Sequence, residues 1–163
     1  MLIVFRCRQC GASLSNPLEL REWQPLARVR GRGHCTYGPS TMALGSVAAD
    51  PDPYGRDGGT RTWVINPLDG LRMRPHTNTA RLYGCCRRDG IDGPNLLCAG
   101  CGSEVGIEIS DCWTAYDIRL VTTAVSADPH PADAADAATT DAPTTYAAVE
   151  PGSLGGLSGP GGS

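Results

Sequence analysis

The sequence contains no lysine and only one phenylalanine. All of its basic residues are therefore arginines, and they are outnumbered by the acidic residues, so the formal net charge is −3. No apolar run approaches the roughly 18 residues that a membrane-spanning helix needs, so we expect no contact with a membrane. The one basic cluster, Arg28, Arg30 and Arg32, is too short to predict a nucleic-acid partner in a chain of nearly balanced charge.

The N-terminus also lacks the features of a secretory signal peptide. Its first five residues are apolar, but Arg6 and Cys7 follow them directly. A signal peptide has a basic start, a longer apolar centre and a cleavage site of small residues. We therefore expect a cytoplasmic protein, where thiols stay reduced and paired cysteines indicate metal binding more than disulfides.

Composition divides the chain into a folded part and a tail. Residues 1–123 carry most of the β-branched and aromatic side chains, but the stretch 27–59 has glycine or proline every few residues. This stretch is predicted to be a loop-rich insertion, either a partly ordered excursion or one short hairpin around residues 41–47. Residues 124–163 are nearly all alanine, aspartate, threonine, proline, glycine and serine. Such a tail buries too little apolar surface to offset roughly 1 to 2 kcal/mol of backbone entropy per residue, which predicts disorder.

The apolar pattern of the folded part is that of strands. Val105, Ile107 and Ile109 alternate with Gly106 and Glu108, which is the period of a half-buried strand. No window of ten or more residues shows the helical period. The sequence therefore predicts a mainly β domain over residues 1–123. Its core is thin, so a metal ion would add substantially to its stability.

Two copies of the motif CxxCG carry the clearest chemical signal. They contain Cys7 and Cys10 in the first copy and Cys98 and Cys101 in the second. Two thiolates in such a tight turn can bind the same Zn²⁺, and two turns complete a tetrahedral set of four. We therefore predict one structural zinc ion that joins the two ends of the domain. The alternatives are free core cysteines and two redox-active pairs.

The other four cysteines are less informative. Cys85 and Cys86 are adjacent, Cys112 precedes a tryptophan, and Cys35 follows His34. One interpretation is a second metal site formed by Cys85 or Cys86 with Cys112, Cys35 and His34. A second is a redox couple between Cys112 and one of the adjacent pair. A third is that these thiols have no role in a site.

A wider set of residues resembles a known fold. The two CxxC turns, with Asn66-Pro67-x-x-Gly70 between them and the segment 98–109 around the second, resemble the β-tent fold. That group includes the Yippee proteins, the ligand-binding CULT domain of cereblon and the zinc-bearing methionine sulfoxide reductases. The resemblance covers roughly residues 1–120 without the insertion 27–59. It implies two antiparallel sheets that meet near a right angle, with zinc at the apex.

The residues that bind ligand in the CULT domain are not retained. Its aromatic cage for cyclic imides corresponds to Ile107 and Ile109 here, and the upstream cage positions fall at Gly93 and Arg87. The resemblance therefore implies the scaffold without that ligand. We predict a module that binds a small molecule or a peptide, with zinc in a purely structural role and no catalytic residue.

The alternative function is a thiol-dependent redox enzyme similar to the methionine sulfoxide reductases. Those enzymes place a nucleophilic cysteine some twenty residues after the second CxxC turn. The nearest candidate here is Cys112, which lies closer to Cys101 than the family pattern requires. In this alternative Cys112 would act with Cys85 or Cys86.

Overall fold

A computed structural model describes residues 1–24, 37–55 and 59–130 of the chain. These residues are mainly in β-strands, as the sequence predicts, and their helices are two 3-10 turns, Pro67–Asp69 and Thr79–Leu82. Neither has the length and apolar character that a membrane crossing requires. In chain order the strands are β1 (Leu2–Cys7), β2 (Leu18–Leu20), β3 (Ser46–Ala49), β4 (Thr62–Ile65), β5 (Met73–Pro75), β6 (Leu96–Cys98), β7 (Glu104–Ile109), β8 (Asp117–Val121) and β9 (Val125–Pro129).

The nine strands form one continuous mixed sheet in the order β5-β6-β7-β8-β4-β3-β2-β1-β9. The expectation of two antiparallel sheets does not describe this arrangement. The difference comes from β3, which pairs antiparallel with β4 and parallel with β2 and so joins the two groups of strands. Its pairs include Val47 with Ile65 and Ser46 with Glu19.

Strand β3 belongs to the stretch that was predicted to be loop-rich. That prediction is wrong for residues 46–49, and the expected hairpin around 41–47 is replaced by a strand that pairs with distant partners. Val47 and Ala48 are fully buried on opposite faces of the sheet. The side chain of Asp117 fixes the turn that precedes β3. The Asp117 carboxylate accepts hydrogen bonds from the Thr41 amide at 2.7 Å and from the Ser40 hydroxyl at 2.7 Å. Residues 27–36 and 56–58 of the insertion lie outside the described part.

Strand β9 corrects the predicted domain boundary. Residues 125–129 pair antiparallel with β1, from Val125 opposite Cys7 to Pro129 opposite Ile3. Val125 is buried in the core, while most of its strand is partly or fully exposed. An edge strand needs backbone pairing more than apolar side chains, so a composition of small and acidic residues did not reveal it. The ordered domain continues past residue 123, and the predicted tail from residue 131 onward lies outside the described residues.

The sheet curls so that strands near its two ends meet. Strands β1 and β6 are each second from an edge, with five strands between them in the sheet order. Their C-terminal ends nevertheless approach each other at the CxxC turns, which requires strong curvature. The enclosed face forms the main core, which contains Phe5, Leu14, Leu18, Val47, Ile65, Leu96, Val105, Leu120 and Val125 together with Cys7 and Cys98.

Candidate metal centres

The two CxxC turns have the same backbone structure. Strand β1 ends at Cys7 and β6 ends at Cys98. In each turn the glycine after the second cysteine donates its amide to the carbonyl of the first, from Gly11 at 2.8 Å and from Gly102 at 2.9 Å. These glycines have φ values of 74° and 78°, a conformation that side chains with a Cβ rarely adopt. The glycine of each motif is therefore needed to close the turn.

A second hydrogen bond in each turn returns the chain toward the core. The amide of Cys7 donates to the carbonyl of Ala12 at 2.9 Å, and the amide of Cys98 donates to the carbonyl of Ser103 at 2.8 Å. The first cysteine of each motif is buried and the second is exposed. Each turn thus presents one thiol from the core side and one from the solvent side.

The four thiols, Cys7, Cys10, Cys98 and Cys101, form a single four-thiol cluster. Their sulfur atoms all lie within 4.8 Å of one another. The Sγ atoms of Cys7 and Cys101 are 3.6 Å apart, as are those of Cys10 and Cys98. A tetrahedral ion with bonds of about 2.3 Å to sulfur separates its ligands by about 3.8 Å, whereas a disulfide requires about 2.05 Å. The predicted ligands are therefore together, at a spacing that suits a metal ion.

The pKa values of Cys7, Cys10 and Cys101 are shifted in different directions. Burial raises the pKa of the Cys7 thiol. The backbone at Ala12 lowers the pKa of Cys10, but hydrogen bonds with Cys101 and Cys98 outweigh it and raise that pKa to about 12. The hydroxyl and the amide of Ser103 lower the pKa of Cys101 to about 6. A divalent cation would favour the thiolate forms of its ligands over these raised pKa values, and its binding would release protons.

A second group, the three-thiol cluster, consists of Cys85, Cys86 and Cys112. Their sulfur atoms also lie within 4.8 Å of one another, and those of Cys85 and Cys86 are 4.0 Å apart. Cys85 is exposed and the other two are partly exposed. The structure thus places Cys112 close to both Cys85 and Cys86, whereas each sequence-based alternative requires only one of these two. His34 and Cys35, also considered for a second site, lie outside the described residues.

The carboxylate of Asp111 holds the backbone of all three cysteines. It is fully buried and accepts hydrogen bonds from the amides of Cys85 at 2.6 Å, Cys112 at 2.7 Å and Cys86 at 2.8 Å. The amide of Arg87 donates to it at 3.2 Å. A single side chain therefore joins the loop that follows Thr79–Leu82 to the loop between β7 and β8.

Asp111, which is not among the residues predicted from the sequence, is held in its charged form. Burial disfavours its charged form, but the amides of Cys86, Cys112 and Cys85 outweigh burial and lower the pKa of the carboxyl to about 2. The indole nitrogen of Trp113 also donates to the carboxylate, at 3.0 Å. The only signal in the sequence is the position of the aspartate directly before a cysteine, and that does not reveal partners more than twenty residues away.

The Cys112 thiol does not have the properties of an activated nucleophile. Its hydrogen bond with Cys86, followed by desolvation and a hydrogen bond with Cys85, raises its pKa to about 12. A nucleophilic cysteine needs the opposite shift, because the thiolate is the reactive form. In the metal-free cluster, Cys112 is therefore close enough to Cys85 and Cys86 for a redox couple, but its thiol is not ionised as a nucleophile requires.

Two of the four positions that the resemblance aligns with the CULT cage, Ile107 and Ile109, are packed. Ile107 and Ile109 on β7 are buried, and Gly90 closes over them. A Cβ on Gly90 would lie 2.5 Å from the Cγ2 atom of Ile107 and 2.9 Å from that of Ile109. These two isoleucines belong to the interior, whereas Gly93 and Arg87 line cavities at the surface.

A polar groove lies next to the three-thiol cluster. Its volume is about 440 Å³. The rings of Tyr37 and Tyr116 stack with centroids 4.4 Å apart, and the guanidinium of Arg87 lies 3.7 Å from the Tyr37 centroid. Arg88 forms an ion pair with Glu108 on β7. The residues that line the groove are Tyr37, Leu82, Arg87, Arg88, Glu108, Ser110 and Tyr116.

Comparisons with models of known protein families, with curated proteins and with solved structures find no significant match to this chain. Function is therefore inferred from the two cysteine clusters and from the groove.

Proposed function

We propose that this chain is a zinc-stapled β module in which the four-thiol cluster binds one structural Zn²⁺. One observation carries the proposal: two turns from distant strands bring four sulfur atoms within 4.8 Å of one another. Four thiolates complete the tetrahedral shell of zinc and leave no position for a reacting water, which is typical of structural sites. The zinc therefore has no catalytic part in this proposal.

The position of the cluster explains what the ion would do. Strands β1 and β6 are separated by five strands in the sheet order, so the ion would hold the curled sheet closed. Structural zinc sites contribute roughly 10 to 16 kcal/mol of apparent binding free energy. That range is as large as the roughly 5 to 15 kcal/mol of net stability that a domain has. The folded state would therefore depend on the metal.

The proposal extends to a β-tent-like scaffold. The motif Asn66-Pro67-x-x-Gly70, which contributes to that resemblance, has a definite local role. The Asn66 side chain accepts a hydrogen bond from the Leu68 amide at 3.0 Å and so caps the short 3-10 helix that Pro67 begins. A Cβ on Gly70 would lie 2.9 Å from the side chains of Ile118 and Met73. This turn supports the assignment, while the continuous sheet joined by β3 is a departure from the expected pair of sheets.

The zinc proposal is tested with two matched cysteine variants. Cys98→Ser should abolish cooperative unfolding, because it removes a buried ligand from the four-thiol cluster. Cys112→Ser is the matched control; it should remain folded and should retain one zinc ion per chain by elemental analysis. A Cys98→Ser protein that stays folded and cooperative without metal would refute the structural role of the ion.

We further propose that the module binds a small molecule or a peptide in the polar groove. Its volume of about 440 Å³ is within the range of roughly 300 to 1,000 Å³ of small-molecule sites. The stacked tyrosines offer a flat apolar surface, and Arg88 and Glu108 offer charges of both signs. A thermal-shift screen of polar compounds and short peptides tests this assignment. Compounds that stabilise the wild type should lose their effect in Tyr116→Ala but keep it in a Leu68→Ala control, and an equal effect in all three proteins would contradict it.

The thiol-enzyme alternative retains one supporting observation, the proximity of Cys112 to Cys85 and Cys86. The raised pKa of the Cys112 thiol disfavours this alternative. Alkylation followed by mass spectrometry across pH distinguishes the two functions. Slow labelling of Cys112 below pH 9 supports the binding module, whereas a Cys112 pKa well below about 8.5 would support the enzyme.

A further inference from the structure

We propose that Cys85, Cys86 and Cys112 form a second metal site that binds one soft, thiophilic ion, such as Cu(I) or Cd²⁺, through three thiolates. This site is separate from the zinc proposed above and does not depend on it. Its ligands come from two loops outside the four-thiol cluster, on the stretch after Thr79–Leu82 and on the connection between β7 and β8.

The spacing of the sulfur atoms fits three-coordinate binding. A planar ion whose bonds to sulfur are as long as those of Zn²⁺, about 2.3 Å, separates its three ligands by about 4.0 Å, and a larger ion separates them further. The Sγ atoms of Cys85 and Cys86 are 4.0 Å apart, and that of Cys112 lies within 4.8 Å of both. Within the described part of the chain, no histidine or carboxylate joins the set. Thiolates without oxygen or nitrogen ligands select soft ions.

The protein itself holds the three ligands in position. The buried Asp111 carboxylate accepts a hydrogen bond from the amide of every ligand residue, at 2.6 Å from Cys85, 2.8 Å from Cys86 and 2.7 Å from Cys112. Outer-shell carboxylates of this kind orient metal ligands and increase their affinity. The negative charge of Asp111 beside three thiolates also favours a cation.

Gly84 shows that the two loops fit closely. A Cβ at this position would lie 2.5 Å from an oxygen of Asp111 and 2.5 Å from the carbonyl oxygen of Arg87. Only glycine lets the chain pass so near the carboxylate. The close packing of the two loops therefore holds Cys85 and Cys86 near Cys112.

The exposure of the ligands indicates how the ion would behave. Cys85 is exposed and Cys86 and Cys112 are partly exposed, so an ion could enter and leave without unfolding of the domain. Three thiolates also leave one side of the ion free for an exogenous thiol. We therefore expect an exchangeable ion, in contrast to the proposed zinc.

The test is a metal titration of the reduced, zinc-loaded full-length protein. Cd²⁺ binding is followed by its thiolate charge-transfer absorbance, and Cu(I) binding by competition with a chromophoric chelator. The wild type should bind one ion in addition to zinc. Cys112→Ser and Cys85→Ser should each reduce the affinity at least about 100-fold, and Leu68→Ala, which changes an exposed residue outside both clusters and the groove, should leave it unchanged.

Three results would overturn the site. The first is no ion bound beyond the zinc, and the second is wild-type affinity in both cysteine variants. The third is X-ray absorption that shows only four-sulfur shells around added Cd²⁺, with zinc released and no further ion bound, because Cd²⁺ would then occupy the four-thiol cluster alone. A shell of three sulfurs with zinc retained supports the proposal. Circular dichroism of each variant confirms the fold, and Cys85→Ser, which changes an exposed residue, keeps the test valid if Cys112→Ser fails to fold.

Discussion

The two cysteine clusters differ in what brings their thiols together. The four-thiol cluster joins strands from opposite ends of a curled sheet, and two of its thiols belong to the main core. The three-thiol cluster lies on loops that the buried carboxylate of Asp111 already holds together. We expect a bound ion to hold the thiols of the four-thiol cluster together. In the three-thiol cluster, we expect the protein to hold the thiols together without an ion. Removal of metal from the four-thiol cluster should therefore unfold the domain, whereas removal of metal from the three-thiol cluster should leave the fold unchanged.

The largest expected effect is that of complete metal removal. A moderate chelator should remove an ion from the three-thiol cluster with no change in circular dichroism. A stronger chelator should remove zinc from the four-thiol cluster only as the domain unfolds, because roughly 10 kcal/mol or more of binding free energy is lost. Metal analysis and far-ultraviolet circular dichroism on the same samples test this order.

Metal can also be removed by lowering the pH, since protons compete with the metal ion for the thiolates. Acidification should release zinc and unfold the domain in a single transition. A metal-free protein that still unfolds cooperatively would show that the sheet closes without the ion.

The next effect compares two buried carboxylates. Asp111→Asn should lower the free energy of unfolding by about 3 kcal/mol, because a charged acceptor of several amides becomes a neutral one. It should also weaken ion binding at the three-thiol cluster by about 10- to 100-fold. Denaturant unfolding and the Cd²⁺ titration measure the two quantities.

Asp117→Asn is the matched control for Asp111→Asn. Asp117 is equally buried and accepts hydrogen bonds from the amide and the hydroxyl of Thr41, at 2.7 and 2.5 Å. Its replacement should lower stability by a similar amount and leave Cd²⁺ affinity unchanged. Equal loss of affinity in both variants would mean that Asp111 acts through general stability and not through the ligands.

The four-thiol cluster could be predicted from the sequence, because each pair of ligands lies within one short motif. The spacing CxxCG specifies a turn, and each glycine adopts the positive φ that the turn needs. The three-thiol cluster could be suggested only as one of several combinations. Its geometry depends on Asp111, whose partners Cys85 and Cys86 lie more than twenty residues away and leave no periodic signal.

Strands β3 and β9 form where the sequence predicted a loop and a disordered tail, and the reasons are related. Strand β3 is only four residues long and lies in a stretch rich in glycine and proline, yet Val47 and Ala48 are fully buried. Strand β9 has a composition of small and acidic residues and is an edge strand that pairs with β1. In both cases long-range backbone pairing outweighs the local composition, and single-sequence patterns do not report such pairing.

A smaller effect compares glycines in the two clusters. Gly84→Ala should lower the free energy of unfolding by about 2 kcal/mol, because its Cβ would collide with Asp111 and with the carbonyl of Arg87. Gly11→Ala should lower it by about 1 kcal/mol, because only its φ of 74° is unfavourable and no atom lies within 4 Å of the added Cβ. Denaturant unfolding measures both values.

The glycine variants should also differ in metal binding. Gly84→Ala should weaken Cd²⁺ binding at the three-thiol cluster, while Gly11→Ala should retain both Cd²⁺ affinity and zinc. If Gly84→Ala binds Cd²⁺ as tightly as the wild type, then the close fit of the two loops does not position the ligands.

The smallest expected effect on stability is that of Trp113→Phe. The indole is 61% exposed, and its main polar contact is the hydrogen bond to Asp111 at 3.0 Å. We expect a loss of about 1 kcal/mol or less, because the carboxylate keeps its four backbone donors. The optical effect should be much larger, since Trp113 directly follows Cys112 and shares its carboxylate anchor. Cu(I) should quench the tryptophan fluorescence of the wild type and of a Trp23→Phe control, and it should have little effect on Trp113→Phe. Undiminished quenching in Trp113→Phe would place the bound ion away from the three-thiol cluster, even if the stoichiometry were correct.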